Sequence, residues 1–306
     1  MDPFSADGEL LNIHTSFLRG AYSSVISFDL TPLSASSKSA AKILQYRARL
    51  ASGEASSVLS ELKSSTDDEA SAVKALALYT SEKQEEALAA AEELAENEDA
   101  AGNATVQLLG GIVLYGSGKV EEALALAEKH EGSLEVVALI VQIHLQQNRV
   151  DLAIKEVQAA RKWAQDSLLV NIAESWVGLR VGGDRYQSAF YVFEEMAQAP
   201  DASGSKSLVS QAVCEMHLGR LDEAKAALDD ALQRDENDAD AIANSIVWEI
   251  LSGNSGKGED GRLKERLGEL GVLGEGGGRH PMLVDLEEKE SLFDMAAGKY
   301  QAKVAS

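Results

Sequence analysis

Residues 216–240 read MHLGRLDEAKAALDDALQRDENDAD, and the spacing inside them decides the fold. Leu221, Ala224, Leu228, Ala231 and Leu232 recur three or four residues apart, which puts them on one face of a helix. Gly219 stands just before that run, where a glycine can take the left-handed conformation that closes the preceding helix. Ala224 follows five residues later. A small side chain there lets the second helix cross the first closely, and a bulkier one would push the two apart. The unit is a helix, a short turn and a second helix.

The same unit recurs along the chain. Turn residues stand at Gly20-Ala21, Gly53-Glu54, Gly118-Lys119, Asn148-Arg149, Gly182-Gly183-Asp184 and Gly219-Arg220. Small or β-branched residues at the crossing position are Val25, Val58, Ala87, Ala123, Ala153, Ala189 and Ala224, at intervals of 33, 29, 36, 30, 36 and 35 residues. These scatter around the roughly 34-residue period of tetratricopeptide repeats. The chain resembles that family most clearly over residues 216–240 and in LYGSGKVEEALALAEK at 114–129. No stretch alternates with the period of a strand. The expected fold is all-α, an α-solenoid of tandem tetratricopeptide-like hairpins, in which each hairpin buries its apolar face only when the next stacks on it. About seven hairpins are expected over residues 1–251. A glycine-rich, degenerate hairpin and linker is expected over 252–280, and a C-terminal helix and tail over 281–306. Pro281 suits the first position of that helix, where its missing N–H costs nothing.

Composition limits the partners. The 306 residues carry 28 Lys and Arg against 50 Asp and Glu, a formal charge of −22 that repels phosphate backbones and anionic lipid. No nucleic-acid partner is expected. The dense acid at Glu82, Glu85, Glu86, Glu92, Glu93, Glu96, Glu98 and Asp99 is interrupted by Ala and Leu at helical spacing and reads as a solvated face. Cys214 is the single cysteine, so no intrachain disulfide forms, which fits a reducing compartment. It lies among Ala212, Val213 and Met216 and reads as a small buried apolar residue. The acidic N-terminus has no charged-then-apolar leader, and no apolar run is long enough to span a bilayer. A cytoplasmic chain is expected.

No catalytic, cofactor-binding or metal site emerges. Gly256, Gly258 and Gly261 match the dinucleotide pattern GxGxxG, but a helix and not a strand precedes them, so the match carries no phosphate-binding meaning. His14, His130, His144, His217 and His280 never stand at ligand spacing from one another. The adjacent carboxylates Glu121-Glu122 and Glu194-Glu195 diverge by about 100° on a helix and do not flank a substrate. Trp176 shares a stripe with Ile172, Ala173 and Val177 and reads as core, and Phe190, Tyr191 and Phe193 read as packing between repeats.

Arrays of this kind bind ligands on a concave face built from the first helix of each hairpin. Counting back from each crossing residue places Leu10, Phe17, Ile43, Leu50, Leu76, Tyr79, Leu108, Ile112 and Tyr115 there, a mainly apolar groove suited to a hydrophobic protein segment held permanently. The alternative is that these residues are simply core. In later hairpins the equivalent positions hold Glu135, Gln142, Asn171 and Glu174, so the groove turns polar. The Lys, Arg and Asn set by which chaperone-docking arrays grip a C-terminal carboxylate is missing, which argues against a co-chaperone adaptor. An enzyme on a helical scaffold would need convergent catalytic groups, and none are seen.

Further stretches narrow the resemblance. VQIHLQQNRVDLAIKEV (141–157), AESWVGLRVGGDRYQSAFYVFEEMA (173–197), HPMLVDLEEKESLFD (280–294), ELLNIHTSFLRGAY (9–22) and YRARLASGE (46–54) resemble the epsilon subunits of coatomer, the COPI vesicle coat. The resemblance implies a non-catalytic coat subunit without cofactors. It would bind and stabilise the C-terminal domain of the coatomer alpha subunit, meet other coatomer subunits indirectly, and reach Golgi membranes peripherally, from the cytoplasmic side, through the complex. Golgi-to-ER retrograde and intra-Golgi transport would be the process.

Overall fold

Side chains that compete for backbone hydrogen bonds open many of the helices, and left-handed residues close them. The computed structural model describes residues 6–200, 204–253, 266–271 and 280–300, and no strand occurs among them. Seven hairpins follow in order: α1 (Ala6–Leu18) with α2 (Tyr22–Ile26), α3 (Ala35–Ala51) with α4 (Ala55–Glu61), α5 (Asp68–Thr80) with α6 (Gln84–Glu96). After the single turn α7 (Glu98–Ala101) come α8 (Ala104–Gly116) with α9 (Val120–Ala127), α10 (Leu134–Gln146) with α11 (Val150–Arg161), α12 (Leu168–Val181) with α13 (Arg185–Gln198) and α14 (Lys206–His217) with α15 (Leu221–Arg234). Then α16 (Ala239–Leu251) stacks on the last pair, and α17 (Pro281–Ala297) ends the described chain. Much of the glycine-rich 252–280 segment, including the GxGxxG match, lies outside the described residues. First helices gain N-caps from Ser34, Asp67, Asn103 and Asp238, whose side-chain oxygens accept from backbone N–H groups two or three residues on.

The turn inside each hairpin has one recurring geometry. Gly20, Gly53, Glu82, Gly118, Asn148, Gly183 and Gly219 all have positive φ. In six hairpins the next residue's N–H reaches back five positions: Ala21 to Ser16, Glu54 to Arg49, Lys83 to Leu78, Lys119 to Leu114, Arg149 to His144 and Arg220 to Glu215, at 2.8–3.1 Å. This bond satisfies a carbonyl orphaned at the helix end and fixes the angle at which the second helix departs. The exception is the α12–α13 turn, where Gly182 and Gly183 both have positive φ and the crossing residue comes one position later. Five residues after the turn the crossing position is closed to solvent every time: Val25, Val58, Ala87, Ala123, Ala153 and Ala224 are 0% exposed, and Ala189, six residues after Gly183, is 1%.

A core runs along the stack. Its largest part extends from Ile43 in α3 to Ile143 in α10 and is rich in alanine and valine, so neighbouring helices approach closely. Trp176 is half-buried between the clusters around Val157 and Phe193, where it joins hairpins five and six. Phe190 and Phe193 are buried between repeats, but Tyr191 is 60% exposed, because the helical turn that puts its neighbours inside rotates it outward. The array curls far enough for its first hairpin to meet the sixth and seventh. Leu18 of α1 packs against the cluster of hairpins six and seven that contains Ile172, Phe190 and Cys214. A Cβ on Gly204, just before α14, would lie 3.3 Å from the Arg19 carbonyl oxygen and the Gly20 Cα.

Candidate functional site

The curl settles where the expected groove residues lie. Leu10 and Phe17 belong to a separate core of the first two hairpins, built on Ile13, Val25, Ala41 and Leu44. Ile43, Leu50 and Leu108 are buried in the main core, while Leu76, Tyr79, Ile112 and Tyr115 lie half-buried against it. The first helices α3, α5, α8 and α10, along which the sequence places the expected groove, contact one another in succession. What remains open there is a band of half-exposed side chains. Tyr79 fits over Gly116, where an added Cβ would sit 2.3 Å from its hydroxyl oxygen. Loss of hydration raises the Tyr115 phenol above its usual value.

A polar bridge spans hairpins two and five. Arg47 follows Ile43 by one helical turn in α3, and its two terminal nitrogens donate to Glu135 of α10 at 3.0 and 2.8 Å. The partners are 88 residues apart in sequence and expose only 12% and 24% of their side chains. The Arg47 guanidinium also lies 4.6 Å from the centre of the Phe17 ring, so one side chain links hairpins one, two and five. Desolvation pushes the Glu135 carboxyl upward, but the charge and hydrogen bonds of Arg47, helped by His14, outweigh it and hold the group below the usual carboxylate range. Neither member of this pair could be matched to the other from sequence, because only the curl unites them.

Other candidate chemistry leads elsewhere. Cys214 is fully buried, and desolvation pushes its thiol up to about 12, far from the reactive thiolate range. No cluster of three metal-binding side chains occurs among the described residues. A cleft of about 380 Å³ opens between α11, α12 and α13. Its lining includes Ser175 and Ser188 but no histidine or cysteine, and its one carboxylate, Glu174, is bound to Arg161 at 2.6 Å. That set lacks the nucleophile–base pair of a hydrolytic site.

The family model described as coatomer epsilon subunit matches residues 6–301. Coatomer subunit epsilon-1 of Oryza sativa subsp. japonica is 32% identical over 245 residues, which cover 80% of this chain and 85% of the relative. The probable coatomer subunit epsilon of Schizosaccharomyces pombe is 29% identical over 241 residues, covering 78% and 80%. Two solved structures share the fold alone. A tetratricopeptide repeat protein from Parabacteroides merdae superposes with a TM-score of 0.54 at 10% identity, over 90% of this chain and 97% of that one. A chain of the APC/C hetero-tetramer Cut9–Hcn1 gives 0.59 at 16% identity, over 93% of this chain and 55% of that one. With helical hairpins throughout and a family match that runs almost from end to end, the chain belongs to the coatomer epsilon subunit family.

Proposed function

We propose that this chain is a non-catalytic structural subunit of the COPI coat that binds and stabilises the C-terminal domain of the coatomer alpha subunit. The observation that carries the reading is the family match over residues 6–301. On this reading the chain meets other coat subunits indirectly and works on the cytoplasmic face of Golgi membranes, as part of a coat for Golgi-to-ER retrograde and intra-Golgi transport. Its contact with the bilayer is through the complex. No helix among the described residues is long and apolar enough to cross a membrane, which suits that arrangement.

The inward face supplies the contact, with the roles of its residues divided by burial. Leu76, Tyr79, Ile112 and Tyr115 keep part of their surface free and meet the partner. Leu10, Phe17, Ile43, Leu50 and Leu108 hold the wall behind them. The test is titration calorimetry of the purified chain with the C-terminal domain of the alpha subunit. Tight one-to-one binding is expected, weakened at least tenfold by Tyr79→Ala combined with Tyr115→Ala, since aromatic anchors dominate such interfaces. A folded wild-type chain that does not bind the domain would sink the reading.

A further inference from the structure

Among the described residues, the last helix packs apolar side chains against the body of the protein only at its start. Met282 and Leu283 pack on Ile242, Ile246 and Leu270, and the His280 ring accepts a hydrogen bond from the Met282 N–H while meeting Asp240 at 3.3 Å. Beyond that anchor α17 has no buried residue. Yet Val284, Leu286, Leu292, Phe293 and Met295 are 48–71% exposed, and they make up five of the large apolar side chains open to solvent. Single exposed apolar residues are ordinary on a protein surface, but such a run along one projecting helix marks an interaction site. An isolated helix of this length is marginal in water, so it gains from being covered.

Helical geometry puts Leu286, Phe293 and Ala297 on one stripe, seven and eleven residues apart, in line with the anchored Met282. Asp285 borders that stripe on one side and Glu290 and Asp294 on the other, while the single cation of the helix, Lys289, is itself bonded to Asp285. This charge decides among possible covers. A second copy would bring like charges together, and an anionic lipid surface would be repelled.

We propose that α17 is a docking helix whose Leu286–Phe293 stripe enters an apolar groove with a basic rim on a partner protein, a second contact separate from the inward face. It follows the helix-in-groove mode, read through anchors one and two turns apart. Resting on the proposed function, the probe is the C-terminal domain of the alpha subunit. Binding of wild type, Leu286→Glu/Phe293→Glu and Glu290→Gln/Asp294→Asn is measured at two salt concentrations. The first variant changes only exposed positions, and an unaltered circular-dichroism melt verifies its fold. It should bind at least tenfold more weakly, and the second should lose most of the wild-type salt dependence. Wild-type binding that both variants reproduce would overturn the docking helix and leave the proposed function standing. No binding by wild type would overturn both. Dimerisation in ultracentrifugation, or cosedimentation with phosphatidylcholine vesicles, abolished in either case by the Leu286→Glu/Phe293→Glu change, would also overturn it, by assigning the stripe to self-association or lipid.

Discussion

At the crossing of α14 and α15 the methyl group of Ala224 is fully enclosed, so any larger side chain must displace a neighbouring helix. Ala224→Leu is expected to destabilise the fold by about 1–3 kcal/mol in chemical denaturation. Ala226, two residues on and exposed, should take the same change with little effect. Equal costs at the two positions would contradict the repeat register. A second residue-scale prediction concerns Glu82, which fills with φ 62° the turn position that glycine occupies in most other hairpins. A left-handed conformation costs a non-glycine residue roughly 1–2 kcal/mol through contact between Cβ and the backbone. Glu82→Gly should therefore stabilise the chain by about 0.5–1 kcal/mol, once the greater freedom of glycine in the unfolded state is set against the relief. Asn148, at φ 59°, tolerates the same conformation better because a short amide side chain bonds locally, so Asn148→Gly should change stability less. A loss of stability in the glutamate variant would show that the side chain contributes more than the strain it causes.

At the scale of elements, α17 makes its core contacts among the described residues through its first turn, which separates its folding role from its surface. Truncation after residue 284 keeps Met282 and Leu283 and should leave stability within about 0.5 kcal/mol of the full chain. A larger loss in denaturant unfolding would mean that the rest of the helix packs on the body. This contrast also explains what could be read in advance. Turn residues and crossing residues are fixed by local physics, a positive φ and a close helix approach, so Gly219 with Ala224 or Gly118 with Ala123 announces a hairpin from sequence. The helix started by Pro281 was legible for the same reason. Apolar periodicity, however, says which face of a helix is buried and not what buries it. Ile43, Leu50 and Leu108 satisfy the spacing of a groove wall, but close successive contacts among α3, α5, α8 and α10 make them core. Tyr191 misled in the opposite sense, since an aromatic between two buried phenylalanines in sequence is turned away from them on a helix. The length of α2, five residues, and the extra turn α7 depend on how the hairpins settle against each other and had no local signature.

Curvature belongs to the whole molecule, and it accounts for the contacts that no single repeat contains. Arg47 and Glu135 meet because four successive hairpins bend toward a common side, and their bidentate geometry, with the Phe17 ring against the guanidinium, keeps that bend. Removing one member of a largely desolvated pair leaves the other charge without compensation, so Arg47→Met should cost roughly 2 kcal/mol at neutral pH, below the full cost for deeply buried pairs because both side chains retain some exposure. The pH dependence identifies the cause. In the wild type the Glu135 carboxyl titrates below its reference value of 4.5, so its stabilising contribution is complete above that value and is lost as pH falls through the lowered one. In Arg47→Met the lowering effects of the arginine are gone and desolvation acts against only the charge of His14, so the carboxyl titrates higher and protonation relieves its burial. The stability difference between the two proteins should therefore be largest near pH 7 and shrink toward pH 3.5, as measured by urea unfolding at each pH. Arg47→Met combined with Glu135→Leu, which leaves no buried charge, should recover much of the loss at neutral pH. A difference that is the same at both pH values, or a double variant no better than the single one, would show that the arginine acts through packing on Phe17 and not through the ion pair that closes the array.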